Sequence, residues 1–99
     1  MKIVYTPELL DYMKKKNKTT IIVELVELNC DLDMTELHVY LADKRIRDTF
    51  RDKKSYGIVT TDVGEVLFPP FPLKLEETVT FGLKSFLFIN HLTYQGIKV

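Results

Sequence analysis

The chain reads as an α+β domain, mostly β. Three observations carry this reading. Short runs of β-branched and aromatic residues recur along most of the length. A single stretch near the start carries helix start and stop signals. In the second half, glycine and proline break the apolar runs at intervals suited to strands and turns.

Lys2 to Tyr5 is a short strand of β-branched and aromatic residues. Thr6-Pro7 then predicts a helix start, because threonine caps and proline suits a first position whose N–H would have no partner. Glu8 favours the positive end of the helix dipole, and Leu9, Leu10 and Met13 form an apolar stripe. Lys14, Lys15, Lys16 and Lys18 gather at the other end, where cations help, and Asn17 is suited to a left-handed stop. Thr19 to Leu28 is a β-branched run expected to be buried and central. Leu37, Val39 and Leu41 alternate with Glu36, His38 and Tyr40, the pattern of a half-buried strand.

Arg45 to Lys54 reads as a charged connector carrying Ile46 and Phe50. Tyr56 to Thr61 and Glu65 to Phe68 flank Asp62-Val63-Gly64, predicting a hairpin whose glycine takes up positive φ. Pro69, Pro70 and Pro72 end its second arm, and "FPPFP" is expected to pack Phe68 and Phe71 into the core. Val79 to Leu83 and Leu92 to Val99 supply the last strands, separated by the apolar "KSFLFINH". The expected order is strand, one N-terminal helix, then six or so strands, in a single domain over 1–99.

The totals restrict function. Forty-five per cent hydrophobic and 28% charged residues suit a folded chain, and fourteen basic residues cancel fourteen acidic ones. With a pI near 6.7, the whole chain has no net field to attract nucleic acid or an anionic membrane, and neither is expected as a partner. No apolar run approaches the roughly 18 residues of a spanning helix, and Met1 is not followed by a signal-peptide pattern. One cysteine cannot form an internal disulfide, so a reducing, cytoplasmic setting is expected.

Chemistry concentrates in "ELNCDLDMTELHVYL", residues 27–41. Cys30, Asp31, His38 and, from the last strand, His91 are the candidate ligands for a divalent transition metal. Each has a plainer role beside it. A lone cysteine at a strand end is commonly a small buried hydrophobe, and Glu27, Asp31 and Asp33 would raise its thiol pKa rather than activate it. "DLDMTE" lacks the glycine and the twelfth-position glutamate of a calcium loop, and Glu36, His38 and Tyr40 read as a wet strand face. His91 sits where strand-end histidines are usually exposed. "KKKNK" can contact phosphate, but helix-end placement accounts for it. No phosphate loop, glycine-rich nucleotide motif or nucleophilic triad appears, so no enzymatic activity is expected.

"KIVYTPELLDYMKKKNKTTIIVELVEL" and "GLKSFLFINHLTYQGIKV" resemble the small bacterial HesB-like proteins, relatives of the A-type iron–sulfur carriers that include a short branch with a Cys-Cys or selenocysteine-Cys motif. The resemblance extends over nearly the whole chain in element order. It implies a flattened pseudobarrel of about seven strands with one N-terminal helix, and a role near iron–sulfur biogenesis. It also assigns Cys30 the family's first functional cysteine position, as the cofactor-binding residue.

This chain is a degenerate member by that comparison, with Asn29 and Asp31 beside Cys30 and no Cys-Gly-Cys near its end. A cluster needs about four ligands, mostly thiolates. The resemblance therefore implies a binding or interaction module without an intact cluster site, working through a protein partner or a homo-dimer. The alternative is a metal- or thiol-dependent protein using Cys30 with Asp31, His38 or His91, across a dimer. Iron–sulfur or a divalent metal is the cofactor class these residues admit.

Overall fold

The structure is a computed structural model that describes residues 1–28 and 34–99. Its elements run β1 (Lys2–Tyr5), α1 (Pro7–Lys16), β2 (Thr20–Leu28), β3 (Met34–Ala42), α2 (Lys44–Lys53), β4 (Gly57–Thr60), β5 (Glu65–Phe68), β6 (Lys74–Phe86) and β7 (Ile89–Lys98). The strands form two mixed sheets, ordered β1-β6-β7 and β3-β2-β5-β4. The mostly-β, α+β expectation agrees with this architecture.

Helix α1 follows its local signals. Thr6 Oγ1 accepts from Leu9 N–H, Pro7 occupies the first turn, and Asn17 closes the helix at φ 53°. Leu9 and Met13 project from it into a core shared by both sheets, with Ile21, Val23 and Val66 on one side and Val79, Phe81 and Ile97 on the other. Leu37, Val39 and Leu41 pack at its margin, as the alternation in β3 predicts. Tyr5 links the layers at one end, its hydroxyl 2.9 Å from Thr61 Oγ1.

Strand β2 lies inside its sheet, pairing antiparallel with β3 and parallel with β5. Its opposite face is buried as well. Ile22 joins Ala42, Phe50, Tyr56 and Leu67 in a second cluster, so a continuous apolar run is what burial of both faces requires.

The structure corrects the single-helix expectation here. Residues 44–53 are a helix and not a connector, and that helix supplies the cover for Ile22 and Leu67. Asp43 Oδ1 caps it by accepting from Ile46 N–H at 2.9 Å. Phe50 is its one buried side chain, edge-on to Tyr56 with ring centroids 4.9 Å apart. Arg47 Nη1 ties the helix to Glu65 Oε1 at 3.0 Å, and the same oxygen accepts from Thr20 Oγ1.

Three smaller corrections follow. Gly64 does not sit at positive φ. It is required because the chain passes so close to Thr19 that any Cβ would collide with the Thr19 carbonyl, which accepts from Glu65 N–H at 3.1 Å. Phe68 packs against the first core, but Phe71 stays exposed at 41% and joins neither buried cluster. The last two strands extend well beyond Val79–Leu83 and Leu92–Val99, into one long hairpin that takes in most of "KSFLFINH". Among the described residues, no helix is long and apolar enough to cross a membrane.

Candidate functional site

The residues singled out for metal or thiol chemistry distribute as follows. Cys30 and Asp31 lie outside the described residues. His38 is on β3, an edge strand, opposite Glu24. Because Leu37 and Val39 turn toward the shared core, His38 turns away from it, half-exposed, with Nε2 3.2 Å from Glu36 Oε2. His91 faces Lys84 across the β6–β7 ladder. Its neighbour Leu92 and the matching Leu83 turn to the same core, so His91 also points outward, but from the other sheet. Within one chain the two imidazoles therefore stand on opposite outer faces. Among the described residues, no three His, Cys, Asp or Glu side chains converge as a metal would need.

The polar face of β2 and β3 forms a tie that sequence reasoning did not identify. Tyr40 donates to Glu24 Oε1 at 2.9 Å, Lys54 Nζ stands 3.8 Å from Glu24 Oε2, and Tyr56 Oη accepts from Leu25 N–H at 3.2 Å. Burial, reinforced by the Glu24 carboxylate, holds the Tyr40 phenol well above its usual range. Burial also raises Tyr56. These groups fasten the end of α2 to the sheet. A cleft of about 550 Å³ opens between α1 and the turn near Val63, lined by Pro7, Leu10 and Met13, with Asp11 and Lys14 also in its wall. Among the described residues, no histidine or serine lines it.

The feature that stands out is the tip of the β6–β7 hairpin. Phe86 pairs with Ile89, leaving Leu87 and Phe88 as a two-residue turn at φ 49° and 67°. Both central residues at positive φ define the tight turn that matches strand twist, and asparagine and glycine normally fill it. Here two bulky apolar residues occupy it, each in a conformation costly for any side chain with a Cβ. Among the described residues they stay mostly uncovered. Phe86, Leu87 and Ile89 are 65%, 73% and 59% exposed, and Phe88 is fully so. At roughly 200 Å² per ring, the two phenylalanines alone expose on the order of 300 Å², about the largest apolar patch of a typical monomer.

Below the tip, Ser85 donates to Asn90 Oδ1 across the strands. Lys84 and His91 lie on the outer face with Phe86 and Ile89. On the inner face, Leu83 and Asn90 line a cleft with Lys14 and Lys15 at the end of α1, and Asn90 and Leu92 line another with Lys16 and Lys18. The strand ends Leu28 and Met34, which flank residues 29–33, lie elsewhere. Tyr40 and Leu41, near Asn90, are six or more residues along β3 from Met34, roughly 20 Å.

The local signal for this site was available: an unbroken apolar run across a turn that lacks glycine and asparagine. No family model, curated protein or solved structure matches the chain.

Proposed function

We propose that this chain is a HesB-like domain, a degenerate relative of the A-type iron–sulfur carriers, that acts in the cytoplasm as a non-catalytic binding module connected with iron–sulfur biogenesis. A β-rich fold of two mixed sheets with an N-terminal helix in its core is compatible with the flattened pseudobarrel of that family. One sulfur ligand per chain is too few to cage a cluster that calls for about four.

The observation that carries the binding role is the uncovered tip at Phe86–Ile89, where conformational strain and exposed apolar surface coincide. Strain retained at one place points to use there. The Glu36 carboxylate on His38 favours a second reading, since metal-ligating histidines are commonly oriented through their other ring nitrogen. In that reading Cys30 works with Asp31, His38 or His91 across a dimer.

Anaerobic reconstitution with iron and sulfide separates the two. The binding-module reading expects colourless protein with far less than one iron per chain. Stoichiometric iron or zinc, lost in Cys30→Ser and His38→Ala, would replace it with the metal reading.

A further inference from the structure

The lysine run that ends α1 is far in sequence from the last hairpin, yet it lines clefts with Leu83, Asn90 and Leu92, the residues just below the apolar tip. We propose that the run and the tip together form a bilayer anchor. Phe86, Leu87, Phe88 and Ile89 enter the interfacial layer of an anionic membrane, while Lys14, Lys15, Lys16, Lys18 and Lys84 hold its headgroups. This rests on the binding-module reading and names the partner of that same surface.

The shape fits a fluid layer. One cross-strand pair and its turn project past Ser85–Asn90 by on the order of 7 Å, the depth to which interfacial elements sink below the headgroups. The tip protrudes with four consecutive apolar side chains exposed, whereas a folded partner would need a matching socket.

Charge selects the kind of layer. Lysines stand on both faces of the hairpin just below the tip, and among the described residues Glu8 and Asp11 are the acidic groups that share the clefts with them. Glu76 and Glu77 sit at the opposite end of β6. The cancelling totals describe the field of the whole chain; locally the charges are sorted, and surface attraction depends on what lies within a Debye length, roughly 8–10 Å. Two copies meeting tip to tip would press these lysines together, which argues against self-association as the cover. The anchor lies on the membrane and does not span it.

The test is co-sedimentation of the full chain with phosphatidylcholine vesicles, with and without 30% phosphatidylserine. Binding is expected with the anionic vesicles and not the neutral ones, and should weaken in high salt. Each of Lys15→Ala and Lys84→Ala should cost about fivefold, and Phe88→Ala about 10- to 100-fold. Leu87→Asn/Phe88→Gly should abolish binding while preserving the fold. The chain has no tryptophan, so Phe88→Trp gives a clean fluorescence report, and its emission should shift to the blue on anionic vesicles alone. The proposal is overturned by absence of vesicle binding, by binding indifferent to the tip, or by a tip-dependent dimer in solution. Tip-dependent capture of a soluble protein without vesicle binding would overturn the anchor yet leave the binding module standing. Failure of the module itself would instead appear as the stoichiometric cluster or metal described above.

Discussion

Replacing Leu87-Phe88 by Asn-Gly should make this protein more stable, although it deletes two large apolar side chains. Both residues occupy the left-handed region, at φ 49° and 67°, which costs a residue with a Cβ roughly 1–2 kcal/mol. Asn-Gly is the pair this turn accepts most readily. Against the relief stand glycine's greater freedom in the unfolded chain, roughly 0.5–1 kcal/mol, and the quarter of Leu87 that is covered, about 0.5 kcal/mol. Phe88 is fully exposed and gives up no burial. A net gain of about 1.5 kcal/mol remains, which raises the melting temperature of a domain this size by roughly 6–12 °C. Thermal unfolding followed by circular dichroism measures it, with a urea titration to check that the slope, and hence the surface exposed on unfolding, is unchanged. Leu87→Asn alone should give about half the gain. A melting temperature that stays level or falls would refute the reasoning, because the turn would then be unstrained or its side chains packed.

Three further outcomes test other parts of the structure. Phe50→Ala, by uncovering Ile22 and Leu67, should cost about 3–5 kcal/mol in urea unfolding; a loss below 1 kcal/mol would mean that α2 is not a core element. Gly64→Ala should cost on the order of 1–3 kcal/mol, since the new methyl must displace the Thr19 carbonyl and with it the link between β2 and β5; an unaffected denaturation midpoint would contradict the close approach. The raised phenols of Tyr40, Tyr56 and Tyr5 hold their protons longer in the folded than in the unfolded chain. Their contribution is therefore complete below about pH 10 and is lost as pH climbs toward the folded values. Stability measured across alkaline pH should fall, and less steeply in Tyr40→Phe; equal slopes in the two proteins would count against the Glu24–Tyr40 tie.

Legibility in the sequence tracked the range of the interactions involved. Helix α1 is announced by neighbours: Thr6 reaches Leu9, and Asn17 turns on its own backbone. The β4–β5 hairpin and the alternation of β3 are equally local. Helix α2 is different, because only Ile46 and Phe50 are apolar in a ten-residue stretch, and its reason for being helical lies across space in Ile22 and Leu67. Asp43 as a cap, with Ile46 and Phe50 four apart, was the signal available. Gly64 was singled out correctly as a special position but for the wrong cause, since a close approach by Thr19 cannot be read from a turn motif.

The candidate site divides the same way. The apolar run 86–89 was visible, yet the absence of turn residues led to the strands being ended too early. The basic run was visible and adequately explained by the helix end. Only the packing of α1 on β6 brings the basic run to the stretch of hairpin just below the apolar one. His38 and His91 were eligible partners by residue type, and only the inward turn of Leu37, Val39, Leu83 and Leu92 separates them.

The parallel pairing of β1 with β6 sets an order on how the chain must mature. Lys2 finds Thr78, and Tyr5 finds Phe81, so β1 has no edge to join until the seventy-odd residues that separate it from β6 have also left the ribosome. At 5–20 residues per second that interval is on the order of 4–15 s. Throughout it Ile3 and Tyr5 remain unsheltered while the β2–β3 hairpin is already able to form. Such distant closure places the rate-limiting event late and favours slow acquisition of the native state, in the millisecond-to-second range typical of non-local sheets once synthesis is complete.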